Sequence, residues 1–420
     1  MSSFSFIHIA DLHLDSPFSA LHQDNPDLAR TLQSATFKAF ENIVTLCIEK
    51  KIDFLLVAGD VYDGADRSLR AQIRFRDGLK RLDEAGIQSF IVHGNHDPLD
   101  KWAANLEWPS RVHIFRDKVE TIAATRDNHF LASIQGISYP TRDEKRNLAL
   151  LFKRSSPAFH IGLLHANVGM DTGHEPYAPC SLDDLLKPEM DYWALGHVHT
   201  KKQLSNDVPF VLYPGNTQGR NIRETGEKGC YLITVHDNRE IETEFYAMDV
   251  IRWVEHDIPI NDLLNEQDLI NALDKNCKDI NESQSGRPSI VRIRLTGNGP
   301  LYRFLKEPNT LSDLHETGND MGSLYSPYIW IDRIRLHAGP RLDPSVLMER
   351  QDFLGELLRY SHELSEDLEL DGLVKKELSA LFENAKFRRY LSPPDKLKIK
   401  DLLKQAEKYC IQTLSNEEDA

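Results

Sequence analysis

The chain has 420 residues, with 65 Asp and Glu against 50 Lys and Arg; the formal charge of −15 excludes a polypeptide that coats nucleic acid with a generally basic surface. Apolar residues make up 40% and charged residues 27%, which is a globular composition with a sizeable core and not a disordered, collagenous or coiled-coil one. The length predicts two or three domains. No stretch approaches the roughly 18–20 consecutive apolar residues of a membrane helix, so no membrane association is expected.

The first apolar run, residues 4–14, contains His8, Asp11 and His13 and has no basic leader, so it reads as a strand of the mature fold and not as a signal peptide. Residues 26–51 repeat apolar side chains at helical spacing, and Phe54–Ala58 is a short, wholly apolar strand. A second helix over 67–85 stops near Gly86 and leads into a strand at 89–92. Further strands are predicted at His160–His165, 192–197, Phe210–Tyr213 and 230–235. Strands separated by helices imply parallel pairing with both sheet faces covered, so residues 1–247 read as one layered α/β domain. Strands at 252–260 and 289–295 around a helix at 261–281, with another strand at 328–337, predict a small α+β domain over 248–339. Residues 340–420 read as helical: Asp343 caps a helix that begins at Pro344, Val346, Leu347, Phe353, Leu354, Leu357 and Leu358 form its apolar face, Ser392-Pro393-Pro394 breaks the run, and the tail after Thr413 frays. Cys47, Cys180, Cys230, Cys277 and Cys410 are scattered and form no CxxC pair, so reduced thiols in a cytoplasm are expected.

Chemistry gathers just after the strands of the first domain. Asp11-Leu12-His13 follows the first, Gly59-Asp60-Val61-Tyr62-Asp63 the second, and His93-Gly94-Asn95-His96-Asp97 the third; His165 ends another, and Gly196-His197-Val198-His199 leaves the next. Carboxyl ends of parallel strands share one sheet edge, where ligands bind, so the five clusters can converge. One Asp-x-His or His-x-His alone is ordinarily structural; five in register with strand ends are not. The side chains are hard oxygen and borderline nitrogen donors without a thiolate, which suits divalent Mn, Fe, Zn or Co. Two Asp, the four His outside the third cluster and one Asn make seven ligands, which exceed the needs of one ion and suit two, about 3.5–4 Å apart, clamping an in-line phosphoryl displacement.

The ordered set D-x-H, G-D-x-x-D, G-N-H-D, H and G-H-x-H resembles the calcineurin-like metallophosphoesterase superfamily. HIADLHLDSPF, GNHDPL, GHEPYAPCSLDDL, YWALGHVH and YPGNTQGRNIRETGEKGC resemble its bacterial DNA-repair exonuclease branch, which includes SbcD, and most closely the YhaO subgroup. SIVRIRLTG and IWIDRIRLH are similar to the second domain of YhaO-type chains. The resemblance implies a β-sandwich core flanked by helices, a smaller α+β capping domain and a C-terminal helical segment. It also implies that Asp11, His13 and His199 bind one metal and Asn95, His165 and His197 another, with Asp60 bridging. His96 would protonate the leaving oxygen, and Asp63 and Asp97 would orient ligands.

The remaining histidines, His8 and His93 among them, and Cys180 read as packing or surface groups. His174, Arg220, Arg223 and Lys228, with Lys201 and Lys202, are candidate substrate contacts able to bind a phosphate backbone. Lys386, Arg388, Arg389 and the lysines at 396, 398, 400, 404 and 408 crowd the last helices, while Glu363, Glu366, Asp367 and Glu369 crowd another stretch. A docking site for an SbcC-like ATPase and a homodimer are the partners that the resemblance implies. The expected activity is that of a DNA exonuclease with endonuclease action on single strands or hairpins, using two divalent ions, Mn2+ first with Fe, Zn, Co or Ni as substitutes. The alternatives are a phosphodiesterase of small nucleotides or other phosphoesters, and a non-cutting DNA-end-binding regulator of the ATPase.

Overall fold

The computed structural model describes residues 2–16, 26–63, 68–169, 177–341, 344–366, 376 and 396–414. His174, the Asp343 cap, the Ser392-Pro393-Pro394 break, the basic residues at 386–389 and the tail after 414 lie outside the described residues.

The chain divides into two compact units, Met1–Glu255 with Ile280–Arg292 and Tyr325–Asp332, and His256–Asp279 with Ile293–Leu324 and Arg333–Ala420. In chain order the first unit contains β1 (Phe4–Ile9), α1 (Pro26–Lys50), β2 (Phe54–Ala58), α2 (Leu69–Glu84), β3 (Gln88–Val92), β4 (Val112–Ile114), β5 (Glu120–Arg126), β6 (His129–Ile137), β7 (His160–His165), α3 (Leu182–Leu186), β8 (Tyr192–Gly196), β9 (Lys202–Ser205), β10 (Phe210–Tyr213), β11 (Gly229–Val235) and β12 (Ile241–Ala247).

These strands form two six-stranded sheets, ordered β12-β11-β1-β2-β3-β4 and β5-β6-β7-β8-β10-β9. β1 through β4 pair in parallel, as do β6, β7, β8 and β10, while β11, β12, β5 and β9 join antiparallel at the flanks. Alternation along the strands explains why they read as unbroken apolar runs. Phe4, Phe6, Phe54, Leu56 and Phe90 pack with Ile134, Ile161, Tyr192 and Phe210 of the second sheet, whereas Ile7, Ile9, Leu55 and Val57 pack with Phe40, Val44, Phe75 and Leu79 of α1 and α2. Both faces are buried, so neither can be polar. The inner layer is aromatic: Phe6 stacks on Phe54 with ring centroids 5.0 Å apart and meets Tyr192 edge-on at 5.3 Å. Each such pair contributes about 0.5–1.5 kcal/mol beyond the area that it buries.

The predicted helices begin and end for local reasons. Ser68 caps α2 by accepting the N–H of Ala71 at 2.9 Å, and the chain leaves that helix through Gly86 at φ +81°. The β4, β5, β6, β9 and β12 strands and the short α3 were not expected from the sequence. β4 has only three residues, and β5 is half-buried and alternates polar with apolar side chains in a short, charged stretch, so neither makes an apolar run.

Downstream are β13 (Arg252–Pro259), α4 (Glu266–Ser283), β14 (Ser289–Gly299), α5 (Tyr302–Lys306), α6 (Thr310–Ser323), β15 (Ile329–Pro340), α7 (Pro344–Met348), α8 (Phe353–Glu366) and α9 (Lys396–Leu414), with β13-β14-β15 as a third sheet. α4 starts five residues later than the predicted helix at 261–281, because Asn265 accepts the N–H of Asp268 at 3.0 Å and Asp268 accepts that of Leu264 at 2.9 Å. The helices α5 and α6 were not predicted. Leu347, Leu354, Leu358 and Ile411 form one buried cluster among α7, α8 and α9. No helix among the described residues is long and apolar enough to cross a membrane.

Candidate metal centre

The loops after β1, β2 and β3 in one sheet and after β7 and β8 in the other carry the five predicted clusters to one place. The first two are laced by backbone bonds: Asp11 N–H donates to Gly59 O at 3.1 Å, His13 N–H to Asp60 O at 3.1 Å, and Leu14 N–H to Val61 O at 2.9 Å. Asp97, fully buried, joins the second and third loops by accepting the N–H groups of Val61 at 2.9 Å and Gly94 at 2.7 Å. It also lies 2.9 Å from Nδ1 of His93. The third and fifth loops are tied to carboxylates of the others, because Asp60 accepts the N–H of His96 at 2.9 Å and Asp11 that of His197 at 3.1 Å.

This lacing holds unfavourable backbone. Asp11, His13, Asp60 and His197 all have positive φ, at 52°, 43°, 51° and 106°. Such conformations cost about 1–3 kcal/mol each in non-glycine residues and persist only where the surroundings over-determine them. Two glycines allow the sheets to close here. A Cβ on Gly196 would sit 1.8 Å from Ala58 O, and one on Gly94 would sit 2.4 Å from an Asp60 carboxylate oxygen.

The side chains form overlapping groups able to hold cations, with ligand atoms within 4.8 Å of one another: Asp11, His13 and His199; Asp11, Asp60 and His165; and His13, Asp63 and His96. Asp60 Oδ2 lies 3.4 Å from Nε2 of His165 and 3.9 Å from Nε2 of His13, between the first two groups. Asn95 Oδ1 is 3.0 Å from Nε2 of His165, and the His197 ring lies beside that of His165 with centroids 5.3 Å apart.

The donor set fits divalent ions. His165 Nδ1–H donates to Ala58 O at 2.9 Å, which leaves a lone pair on Nε2 facing the oxygens of Asn95 and Asp60. His199 Nδ1–H donates to Glu224 at 2.8 Å, so its Nε2 lone pair faces Nε2 of His13 at 3.2 Å. On His165 that lone pair faces acceptor oxygens, an arrangement that attracts a cation and otherwise repels. Charge points the same way. Burial, and next the charge of Asp60, push the Asp11 carboxyl well above its usual range. Burial acts on Asp60 in the same sense, but the imidazoles of His165, His96 and His13 outweigh it and hold that carboxyl low. Burial, with Arg220 next, lowers His13 to about 3, so its ring is neutral, as a metal ligand must be.

His96 stands at the rim with its Nδ1 2.8 Å from Asp63 Oδ1 and its ring edge-on to that of His13 at 4.9 Å. Burial lowers its pKa, but the Asp63 hydrogen bond and the charges of Asp60 and Asp63 prevail and raise it. Asp63 also accepts from the Ser16 hydroxyl and from Arg220 at 3.2 Å.

The cationic candidates separate. Arg223 is exposed. Arg220 is turned inward, with its Nη2 3.2 Å from Glu224 and its Nη1 3.2 Å from Asp63. Lys228 is 6% exposed and donates to His199 O at 3.0 Å, so its ammonium braces the loop carrying a candidate ligand. Cys180 packs among Tyr139, Leu164 and Trp193, and burial pushes its thiol up to about 12. His8 is wholly buried against Tyr192. Sequence reasoning missed Glu224, which holds His199, Asn216 and Arg220 together. Its place in YPGNTQGRNIRETGEKGC was the only available signal.

Comparison with known proteins identifies the family. Residues 4–201 match the calcineurin-like phosphoesterase family, and residues 253–339 match the middle domain of metallophosphoesterase YhaO. The chain is 34% identical over 410 residues to the uncharacterized metallophosphoesterase YhaO of Bacillus subtilis (strain 168), covering 97% of each chain. It is 29% identical over 211 residues to the DNA double-strand break repair protein Mre11 of Sulfurisphaera tokodaii, covering 49% of this chain and 52% of that one. To the protein of the same name from Methanocaldococcus jannaschii it is 23% identical, covering 65% and 74%. Strand-end clusters, sheet order and near-full-length likeness together make the chain a member of the calcineurin-like metallophosphoesterases, in their YhaO group, and a hydrolase of phosphoester bonds.

Proposed function

We propose that the chain is a metal-dependent DNA nuclease that works in DNA repair and processing, as an exonuclease with endonuclease action on single strands or hairpins. The observation that carries this reading is the His96–Asp63 pair, which forms one group with His13 beside the two groups that contain Asp11, in a chain with relatives named for double-strand break repair. Asp11, His13 and His199 would hold one divalent ion, and Asn95, His165 and His197 a second, with Asp60 between them. Mn2+ suits this mixture of carboxylate, amide and imidazole, and Fe, Zn, Co and Ni are the other candidates. When bound, the ions offset the charge of the phosphoryl oxygens and make water acidic enough to attack at neutral pH.

The protein's own residues do the rest. Glu224 and the Ala58 carbonyl fix the tautomers of His199 and His165 so that their Nε2 atoms face inward. Asp63 anchors Nδ1 of His96, leaving Nε2 to give a proton to the leaving 3′ or 5′ oxygen. Arg223 and Lys202, both exposed, are the backbone contacts, whereas Lys201 is drawn to Glu227 at 3.4 Å and over the Phe245 ring at 3.7 Å. The chain is read functionally as a phosphoesterase domain over 1–247, a capping and DNA-binding domain over 248–339, and a helical region over 340–420 that docks an SbcC-like ATPase. A homodimer working in the cytoplasm completes the reading.

The test is a pair of assays with Mn2+, one on plasmid and end-labelled oligonucleotides and the other on bis-p-nitrophenyl phosphate. Degradation of DNA supports the nuclease. Turnover of the small ester with intact DNA sinks it in favour of a small-phosphodiester hydrolase, and inactivity on both leaves a DNA-end-binding regulator. Deleting residues 340–420 and losing co-purification with the ATPase would support the docking site; an unchanged complex would remove it.

A further inference from the structure

The Arg220 guanidinium stands between the two halves of the centre. Arg220 Nη1 is 3.2 Å from Asp63 Oδ2 and 3.2 Å from the Ser16 hydroxyl, Nη2 is 3.2 Å from Glu224 Oε1, and the Arg220 N–H donates to Glu224 Oε2 at 2.7 Å. Asp63 in turn holds His96 at 2.8 Å, and Glu224 holds His199 at 2.8 Å. The chain of contacts therefore runs His96, Asp63, Arg220, Glu224, His199, from the proton donor to a metal ligand. We propose that Arg220 is a positioning residue that locks His96 and His199 into one geometry without touching substrate. The proposal rests on the phosphoesterase reading of the site and assigns Arg220 a role different from the substrate contact expected from sequence.

Three features support it. Both ends of the Arg220 guanidinium are committed to protein carboxylates, and the side chain is 15% exposed, whereas a phosphate contact needs a free, outward cation. The loop that carries it is fixed from behind: Gln218 donates to Ile251 O at 2.8 Å and accepts from Val250 N–H at 2.9 Å, and Trp253 Nε1–H donates to Gly219 O at 3.2 Å. Lastly, the task suits arginine, whose planar fork can serve two carboxylates at once, while a lysine ammonium is a point charge. Asn216, which donates to Glu224 at 2.9 Å, completes the bracing of that carboxylate.

The test compares full-length wild-type chain with Arg220→Met, Arg220→Lys and Glu224→Gln, using calorimetric titration with Mn2+ alone and steady-state kinetics on bis-p-nitrophenyl phosphate. The expected result for Arg220→Met is a fall of about 10–100-fold in Mn2+ affinity, with lower kcat at saturating Mn2+ and a KM near that of wild type. Arg220→Lys should recover part of the Mn2+ affinity. Adding Glu224→Gln to Arg220→Met should cost less than the two single losses multiplied, because both act through His199. Wild-type Mn2+ affinity in Arg220→Met together with a raised KM would make Arg220 a substrate contact and overturn the proposal. If Arg220→Met does not fold, Arg220→Lys decides on the same readouts. A wild-type chain that cleaves no phosphoester would defeat the nuclease reading, while the Mn2+ titrations still judge the clamp.

Discussion

Asp63 lies 2.8 Å from Nδ1 of His96, and the two side chains are 26% and 33% exposed, so the ring is anchored at one nitrogen and reachable at the other. That combination is what a proton donor to a leaving group needs: fixed direction, solvent access, and a charge partner that favours the protonated ring. Asp97, by contrast, is fully buried and braces backbone.

Replacing His96 by Ala should therefore separate chemistry from metal binding. General acid catalysis contributes about 10²–10⁴-fold, and a loss of that size in kcat is expected with Mn2+ stoichiometry retained. Mn2+ at about 100 times its dissociation constant should still stabilise the variant by about 2.7 kcal/mol, read as a rise in Tm equal to that of wild type. Wild-type turnover would remove His96 from the mechanism; loss of the Mn2+ effect would make it a ligand.

Asp60 predicts the opposite pattern. Its Oδ2 stands 3.4 Å from Nε2 of His165 and 3.9 Å from Nε2 of His13, so it lies within reach of rings from two of the candidate groups. Asp60→Asn keeps the shape and removes the charge. Mn2+ affinity should fall by more than the roughly 10–100-fold typical of outer partners, and the second equivalent should be lost from the titration. Two equivalents bound at wild-type affinity would place the bridge elsewhere.

Much of this was legible from sequence, for reasons that differ by residue. Asp11, Asp60, Asn95, His165 and His197 follow strands whose two buried faces make them unbroken apolar runs, so both strand and cluster stand out. Glu224 had no such flag, since it lies in a charged, glycine-rich loop and meets His199 only across 25 positions of chain. Charge counting could not tell Arg223, which is exposed, from Arg220 and Lys228, which turn inward to Glu224 and His199. Positive φ at Asp11, His13 and Asp60 is imposed by loop-to-loop hydrogen bonds that sequence does not display.

His8 links the sandwich core to acid stability. It is fully buried on β1 with Nδ1 3.1 Å from the Tyr192 hydroxyl, and burial lowers its pKa to about 3 from 6.5. Between those values the unfolded chain binds a proton that the folded chain refuses, so folding weakens as pH falls through that window. At pH 4.5 the effect amounts to roughly 2–3 kcal/mol. His8→Asn, which can still meet Tyr192, should flatten the pH dependence between 6.5 and 3 in chemical denaturation of the metal-stripped protein. Parallel stability curves for the two proteins would contradict it.

The final prediction concerns a close approach between the two sheets. Gly196 ends β8 where β2 ends at Ala58, and a Cβ there would lie 1.8 Å from Ala58 O and 2.9 Å from Nδ1 of His165. The first obstacle is backbone at a buried strand end, which cannot rotate away as a flexible side chain could. The second is the ring atom that donates to that same carbonyl. Gly196→Ala must therefore push the sheets apart or break the bond that fixes the His165 tautomer. A loss of about 3 kcal/mol or more is expected, at the upper end for overpacked cores, together with weaker Mn2+ binding. Gly226→Ala is the comparison: nothing lies within 4 Å of its Cβ, and the strain of φ +78° alone limits its cost to about 1–2 kcal/mol with Mn2+ affinity unchanged. Equal losses in the two variants, measured by urea denaturation and Mn2+ titration, would show that the sheets do not meet at Gly196 as closely as described.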